Sequence, residues 1–179
     1  MSNKTLQRIL KKVYGKPSWD VHKGHGSFVT FEFGKPKLEV SKKVLRPKAG
    51  AKFLKYPKRM AKVHGDWHLW IYCCHWEIRQ HGRRIAHSES EDQKIDKACN
   101  FLNGQLLTKV VVTPRTWKTD FYFDLGGHLQ TSSYRSEPIE MWMMYCPDGR
   151  VFTLRDDGKY AYRPGNRPLE EKHWSPFTF

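Results

Sequence analysis

Acidic residues are scarce where this chain begins. Asp20, Glu32 and Glu39 are the only three before residue 61, and none lies between Val40 and Gly65. Long apolar runs are missing as well: no stretch approaches eighteen residues, which argues against a membrane-spanning helix. Cysteine is sparse, with Cys73, Cys74, Cys99 and Cys146 falling at spacings that suit neither a disulfide framework nor a zinc site. Adjacent residues of an extended strand point to opposite faces, so Cys73 and Cys74 are poorly placed to pair, and burial would make them inert packing rather than a redox sensor. There is no G-x-S-x-G elbow, Walker loop or dinucleotide fingerprint, so no cofactor is expected. No secretory leader is recognised, and the expected compartment is the cytoplasm. The acid-free first nineteen residues loosely match a mitochondrial presequence, but a short helix docked on its own domain accounts for them.

What the chain does have is aromatic rings and an uneven charge. Ten Phe, seven Trp and eight Tyr make 14% of its 179 residues, more than a disordered chain carries, so a packed core is expected. The formal net charge is +14. Residues 1–60 contain 16 Lys and Arg against three acids, whereas residues 61–179 contain 16 against 15. Nine of the basic residues crowd between Val40 and Gly65. Such asymmetry bears on partners rather than on fold.

Periodicity predicts an α+β fold, mostly an antiparallel β-sheet meander with two helices and a basic N-terminal arm. Leu6, Ile9, Leu10 and Val13 share one face of a helix over 4–13, with Lys4, Arg8, Lys11 and Lys12 roughly opposite and Gly15 and Pro17 ending it. A turn at 23–26 leads to a strand over 27–33, and 37–40 reads as its partner after the reversal at Gly34-Lys35-Pro36. Residues 41–63 lack a clean period and read as a long loop or arm. Trp67–Ile78 reads as one long aromatic strand, and 84–88 as its return. Ser90 and Gln93 suggest a capping box opening a helix to about Asn103, with Gly104 as its stop. Strands are then expected near 106–113, 117–124, 128–132, 141–146, 150–154 and 160–162, separated by Gly-rich turns. One domain is expected over 1–163. An irregular tail runs from 164 onward, whose Trp174, Phe177 and Phe179 can pack back on it.

The basic region is the sharpest functional candidate. Lys52-Phe53-Leu54-Lys55-Tyr56-Pro57-Lys58-Arg59 interleaves rings with cations, a composition suited to phosphates and unstacked bases. The expected contacts to nucleic acid are Arg8, Lys11, Lys12, Lys42, Lys43, Arg46, Lys52, Lys55, Lys58 and Arg59 on phosphate, with Tyr56 stacking. An acidic protein is the alternative partner; no membrane and no small-molecule cofactor is expected. Nine histidines invite a metal reading, and His64 and His68 have ligand spacing only on a helix, which Gly65 disfavours, so no metal site is predicted. For a metal-dependent nuclease, Glu39 and Lys42 are three apart and fall on opposite strand faces. His22 and His25 beside Asp20 suit metal-free acid–base chemistry, although turn-forming glycines explain that stretch equally. Binding without catalysis is the leading expectation and a nuclease the third.

A set of segments carries a resemblance. It comprises Gly24-His25-Gly26-Ser27-Phe28 running into Phe31-Glu32-Phe33-Gly34, Trp67 to Trp76, and Ser88-Glu89-Ser90 with the helix ending at Asn103-Gly104-Gln105. Phe123-Asp124-Leu125-Gly126-Gly127 and Trp142 to Tyr145 with Pro147-Asp148-Gly149 complete it. Together, over roughly 24–162, they resemble small bacterial proteins of unknown function, some of them similar to immunity proteins that neutralise toxins. The resemblance implies a bacterial cytosolic α+β fold and a binding role, that of an inhibitor or adaptor in the immunity-like case. It implies no functional residues, and the basic segment 40–65 is outside it.

Overall fold

Helix α1 (Ser2–Val13) buries its whole apolar stripe: Leu6, Ile9, Leu10 and Val13 are all at most 5% exposed, while Arg8, Lys11 and Lys12 face outward. Gly15, at φ 75°, ends it. The computed structural model describes residues 2–44, 57–134, 138–166, 170 and 173–179; of Ser2, residues 41–44, Pro57 and Lys58 it describes the backbone path alone.

After α1 come β1 (Ser18–Lys23), β2 (Val29–Phe33), β3 (Lys37–Val44), β4 (Pro57–His64), β5 (Trp67–Ile71), β6 (His75–Gln80) and β7 (Arg83–His87). Helix α2 (Asp92–Leu102) precedes β8 (Leu107–Val112), β9 (Thr119–Phe123) and β10 (Gly127–Ser132). The chain closes with β11 (Glu140–Tyr145), β12 (Arg150–Arg155), β13 (Lys159–Pro164) and β14 (Ser175–Pro176). One sheet runs β1-β2-β5-β11-β12-β13-β14, a second β7-β6-β10-β9-β8, and β3-β4 form a separate ribbon. The strand ladders are antiparallel throughout, so the fold is α+β with β dominant. Among the described residues no helix is long and apolar enough to cross a membrane.

The two large sheets share one core. Phe31 of β2 stacks on Phe123 of β9 at 6.0 Å, and Phe121 meets Trp142 of β11 edge-on at 5.5 Å. The buried Trp142 indole donates to Thr119 Oγ1 at 3.0 Å, so its one polar atom is satisfied. Each fully buried Phe or Leu here contributes roughly 1.5–3 kcal/mol over its exposed state. Helix α2 buries Ile95, Ala98, Cys99 and Leu102, as its periodicity predicts, and packs against β1 of one sheet and β7 of the other. Gly104, at φ 88°, lies just beyond it.

Several expectations change. Residues 37–40 do not pair with the strand ending at Phe33; they open β3, whose partner is β4, while β2 lies between β1 and β5. The supposed loop over 41–63 is therefore strand at both ends, with 45–56 outside the described residues. A two-stranded ribbon is held by its ladder rather than by a core, so it needs no hydrophobic period. The long strand over Trp67–Ile78 is two strands in different sheets. Burial switches from Leu69 and Ile71 to Cys74, Trp76 and Ile78, a change of parity across Tyr72–Cys74, where the chain crosses over. A run apolar on both faces hides that switch. Cys73 and Cys74 sit in this crossing, and burial pushes the Cys74 thiol well up.

The capping box is absent: Ser90 Oγ accepts the His87 N–H at 3.0 Å, and α2 starts after Glu91 without a side-chain cap. Strand β1, beside its glycine-rich turn, has no counterpart among the strands that periodicity predicts. The tail is irregular only in part, because Pro164 belongs to β13, Ser175–Pro176 form β14, and Phe177 is buried.

Candidate functional site

Strands β2 and β5 are direct neighbours, with Phe33 opposite Trp67. The chain between them leaves the sheet as the β3–β4 hairpin, and a glycine-dependent kink sets its direction. Gly34 has φ 84°, and the adjacent Asp66 accepts the Lys35 N–H at 2.9 Å and pairs with Lys37 Nζ at 2.6 Å. On the other strand the Gly65 N–H donates to Glu32 Oε2 at 2.8 Å, and a Cβ at Gly65 would collide with the Phe33 backbone. The kink turns Lys37, Glu39, Lys62 and His64 toward the outer face of the first sheet, where they line a cleft of about 870 Å³.

Strand period builds the floor of that cleft. Val29, Phe31, Phe33, Leu69 and Ile71 point into the core, so Thr30, Glu32, His68 and Trp70 point out. Register places Thr30 opposite Trp70 and Glu32 opposite His68, with Tyr145 on the far side of His68. Phe28, Trp70 and Tyr72 form a ring cluster with centroids 4.7–5.7 Å apart.

Four histidines share the cleft: His22, His25, His64 and His68. His68 Nδ1 lies 2.7 Å from Glu32 Oε1. An ionised carboxylate only accepts, so the proton is on Nδ1 and Nε2 is left for other chemistry. His64 Nδ1 lies 3.0 Å from the Gly65 carbonyl, which imposes the same tautomer, and its Nε2 is 3.8 Å from Glu39 Oε2. His22 Nδ1 is 2.8 Å from the Asp20 carbonyl. Burial by itself would raise the Glu32 carboxyl. The hydrogen bonds from His68 and the Gly65 N–H, with the charges of His68 and Lys62, more than offset this and hold it below the usual carboxylate range. Burial raises the Tyr72 and Tyr145 hydroxyls, which therefore stay protonated near neutral pH. Among the described residues no three His, Cys, Asp or Glu side chains group so as to hold a metal ion.

A smaller cleft of about 450 Å³ lies on the other side of the β11–β12 turn, whose Cys146 and Pro147 line both. Arg8 and Lys12 of α1 meet Arg150 and Trp67 there. Arg150 lies over the Tyr162 ring at 5.4 Å and Lys16 over Trp67 at 5.3 Å.

Of the residues expected to touch phosphate, Arg8 and Lys12 thus come together in a cleft, whereas Lys11 is exposed outside it. Lys42 and Lys43 pair across the ribbon with Arg59 and Lys58, and the Arg59 side chain is exposed. Arg46, Lys52, Lys55 and Tyr56 lie outside the described residues. Sequence reasoning gave Glu32 and Trp70 no role, counted Lys62 only among the basic residues of the stretch, and weighed His64 and His68 only as metal ligands. The available signal was Glu32, a lone carboxylate on a strand otherwise nearly all apolar. Its buried partnership with a histidine 36 residues away is a matter of register. No family model, curated protein or solved structure matches the chain.

Proposed function

We propose that this protein binds single-stranded nucleic acid in the hairpin cleft, with phosphates along the basic ribbon and bases on the Phe28–Trp70–Tyr72 floor. The observation that carries this reading is the placement of Lys62 and Lys37, on one hairpin, across a cleft from three clustered rings. Cations meet any phosphate chain, but a ring floor adds affinity only for bases free to stack. The charge asymmetry of the sequence supports the same partner. The smaller cleft with Arg8, Lys12 and Arg150, reached past Pro147, extends the path for a longer strand.

Titration of a labelled single-stranded oligonucleotide over a salt series tests the reading. Lys62→Glu is expected to reduce the slope of log K against log salt by about 0.7, one phosphate contact on a single strand. Trp70→Ala is expected to weaken binding by about 1–3 kcal/mol at unchanged slope. Equal loss of single-stranded and duplex binding in Trp70→Ala would count against base stacking. Absence of binding at about 50 mM salt would overturn the reading in favour of an acidic protein partner.

A further inference from the structure

We propose that the hairpin cleft cleaves RNA, using His64 and His68 as a base–acid pair that transfers protons without a metal ion. The proposal rests on the binding reading above and gives its cleft a substrate class.

Two imidazoles flank Gly65 closely in sequence, line one cleft, and are each fixed at Nδ1 by an acceptor that cannot itself give up a proton. For His64 this is the Gly65 carbonyl at 3.0 Å, and for His68 the Glu32 carboxylate at 2.7 Å. His68 is thereby left with Nε2 for an occupant of the cleft, and His64 Nε2 lies 3.8 Å from the exposed Glu39 carboxylate, which lines the same cleft. Glu32 is only 3% exposed, and its second oxygen is committed to the Gly65 N–H, so it cannot swing away. A buried carboxylate that fixes a histidine's tautomer and orientation is an arrangement that general acid–base catalysis uses. Lys62 supplies positive charge beside the pair, where charge on a phosphate would grow.

The chemistry closes with these groups alone. Neutral His64 takes the proton of a ribose 2′-hydroxyl at Nε2 while that oxygen attacks the adjacent phosphorus. The P–O5′ bond breaks, and O5′ takes a proton from Nε2 of protonated His68. The products are a 2′,3′-cyclic phosphate and a 5′-hydroxyl, and exchange with water restores the two protonation states. Glu32 is a positioning residue in this step. DNA lacks the nucleophile and is bound but not cut.

The test uses the full chain with an end-labelled RNA, the same sequence as DNA, and the RNA with every 2′-hydroxyl methylated, all in the presence of a chelator. The expected result is that all three bind and only the unmodified RNA is cut, leaving 2′,3′-cyclic phosphate and 5′-hydroxyl ends. His64→Gln and His68→Gln, each assayed at RNA concentrations saturating for that variant, are expected to cleave roughly 10²–10⁴-fold more slowly. In Glu32→Gln the single amide oxygen must serve the Gly65 N–H, which turns the amide N–H toward His68 and forces the wrong tautomer. Its kcat is expected to fall on the order of 10²–10⁴-fold with KM unchanged, whereas mere loosening of the fold would raise KM. RNA that is bound but left intact would overturn the proposal and leave the binding reading standing. So would cleavage that the histidine variants retain in full, or ends bearing a 3′-hydroxyl. Failure of all three probes to bind would overturn both.

Discussion

Glu32 shows how much one side chain is asked to do. It leaves the core-facing alternation of β2, holds His68 in one tautomer and ties down Gly65 at the hairpin kink. Because its carboxyl is depressed in the folded state, its ionised form favours folding. That contribution is present above its unfolded value, about 4.3, and is lost as pH falls through the lower folded value. Glu32→Gln should therefore be less stable than the parent near neutral pH and lose less stability on acidification. Urea midpoints measured from about pH 7 down to about pH 3 check this. The acid limb flattens without vanishing, because two other carboxyls are also held low. Asp66 is lowered chiefly by Lys37; at Asp157 burial acts upward, but the Arg155 and Lys159 hydrogen bonds outweigh it. A parallel loss in parent and variant would mean that Glu32 is not coupled to folding.

At the scale of elements, the β3–β4 hairpin is an addition to a sheet that is continuous without it. Phe33 and Trp67 already face each other, so the two strands can be joined by a short β-turn in place of residues 34–66. The shortened protein is expected to keep a single cooperative thermal transition, since every buried core strand remains, and to lose oligonucleotide binding. Retained binding would place the interface elsewhere. The hairpin also explains its own poor legibility. Leu38, Val40 and Val63 lie on its exposed back, at 67%, 58% and 46% exposure, so apolar residues here do not mark a core. Its front mixes Lys, Glu and His, and only the ladder makes it a strand. The aromatic run 67–78 misleads for the opposite reason: rings on both faces conceal the change of sheet at Tyr72–Cys74.

The whole molecule joins its ends. The Asn3 N–H donates to the Thr178 carbonyl at 3.1 Å, and Phe177 packs with Trp117 and Tyr160, so the tail and α1 are held on one body. This docking fixes the basic face of α1 beside the β11–β12 turn. Arg8 and Lys12 thereby become neighbours of Arg150, and two clefts lie on either side of one turn. Reversing Arg8 and Lys12 to Glu should weaken binding of a long single strand and reduce its salt slope by about 1.4. A strand short enough to fill only the hairpin cleft should be unaffected. Equal losses for both lengths would mean that the two clefts are not one path.

The sequence by itself determined the α+β class, both helices with their buried faces, most strands of the second sheet and the concentration of charge before residue 61. Each comes from local periodicity, from turn residues or from counting. It also marked Arg8 and Lys12 as cations on a helix whose other face is buried. Only the tertiary structure decided which strands are neighbours, and the site depends on that. Glu32 meets His68, and Thr30 meets Trp70, because β2 pairs with β5 across a 33-residue excursion. The hairpin faces the rings because Gly34 and Gly65 kink it there. Register, kink direction and sheet crossing are set by long-range packing and backbone sterics, which leave no period in the sequence to read.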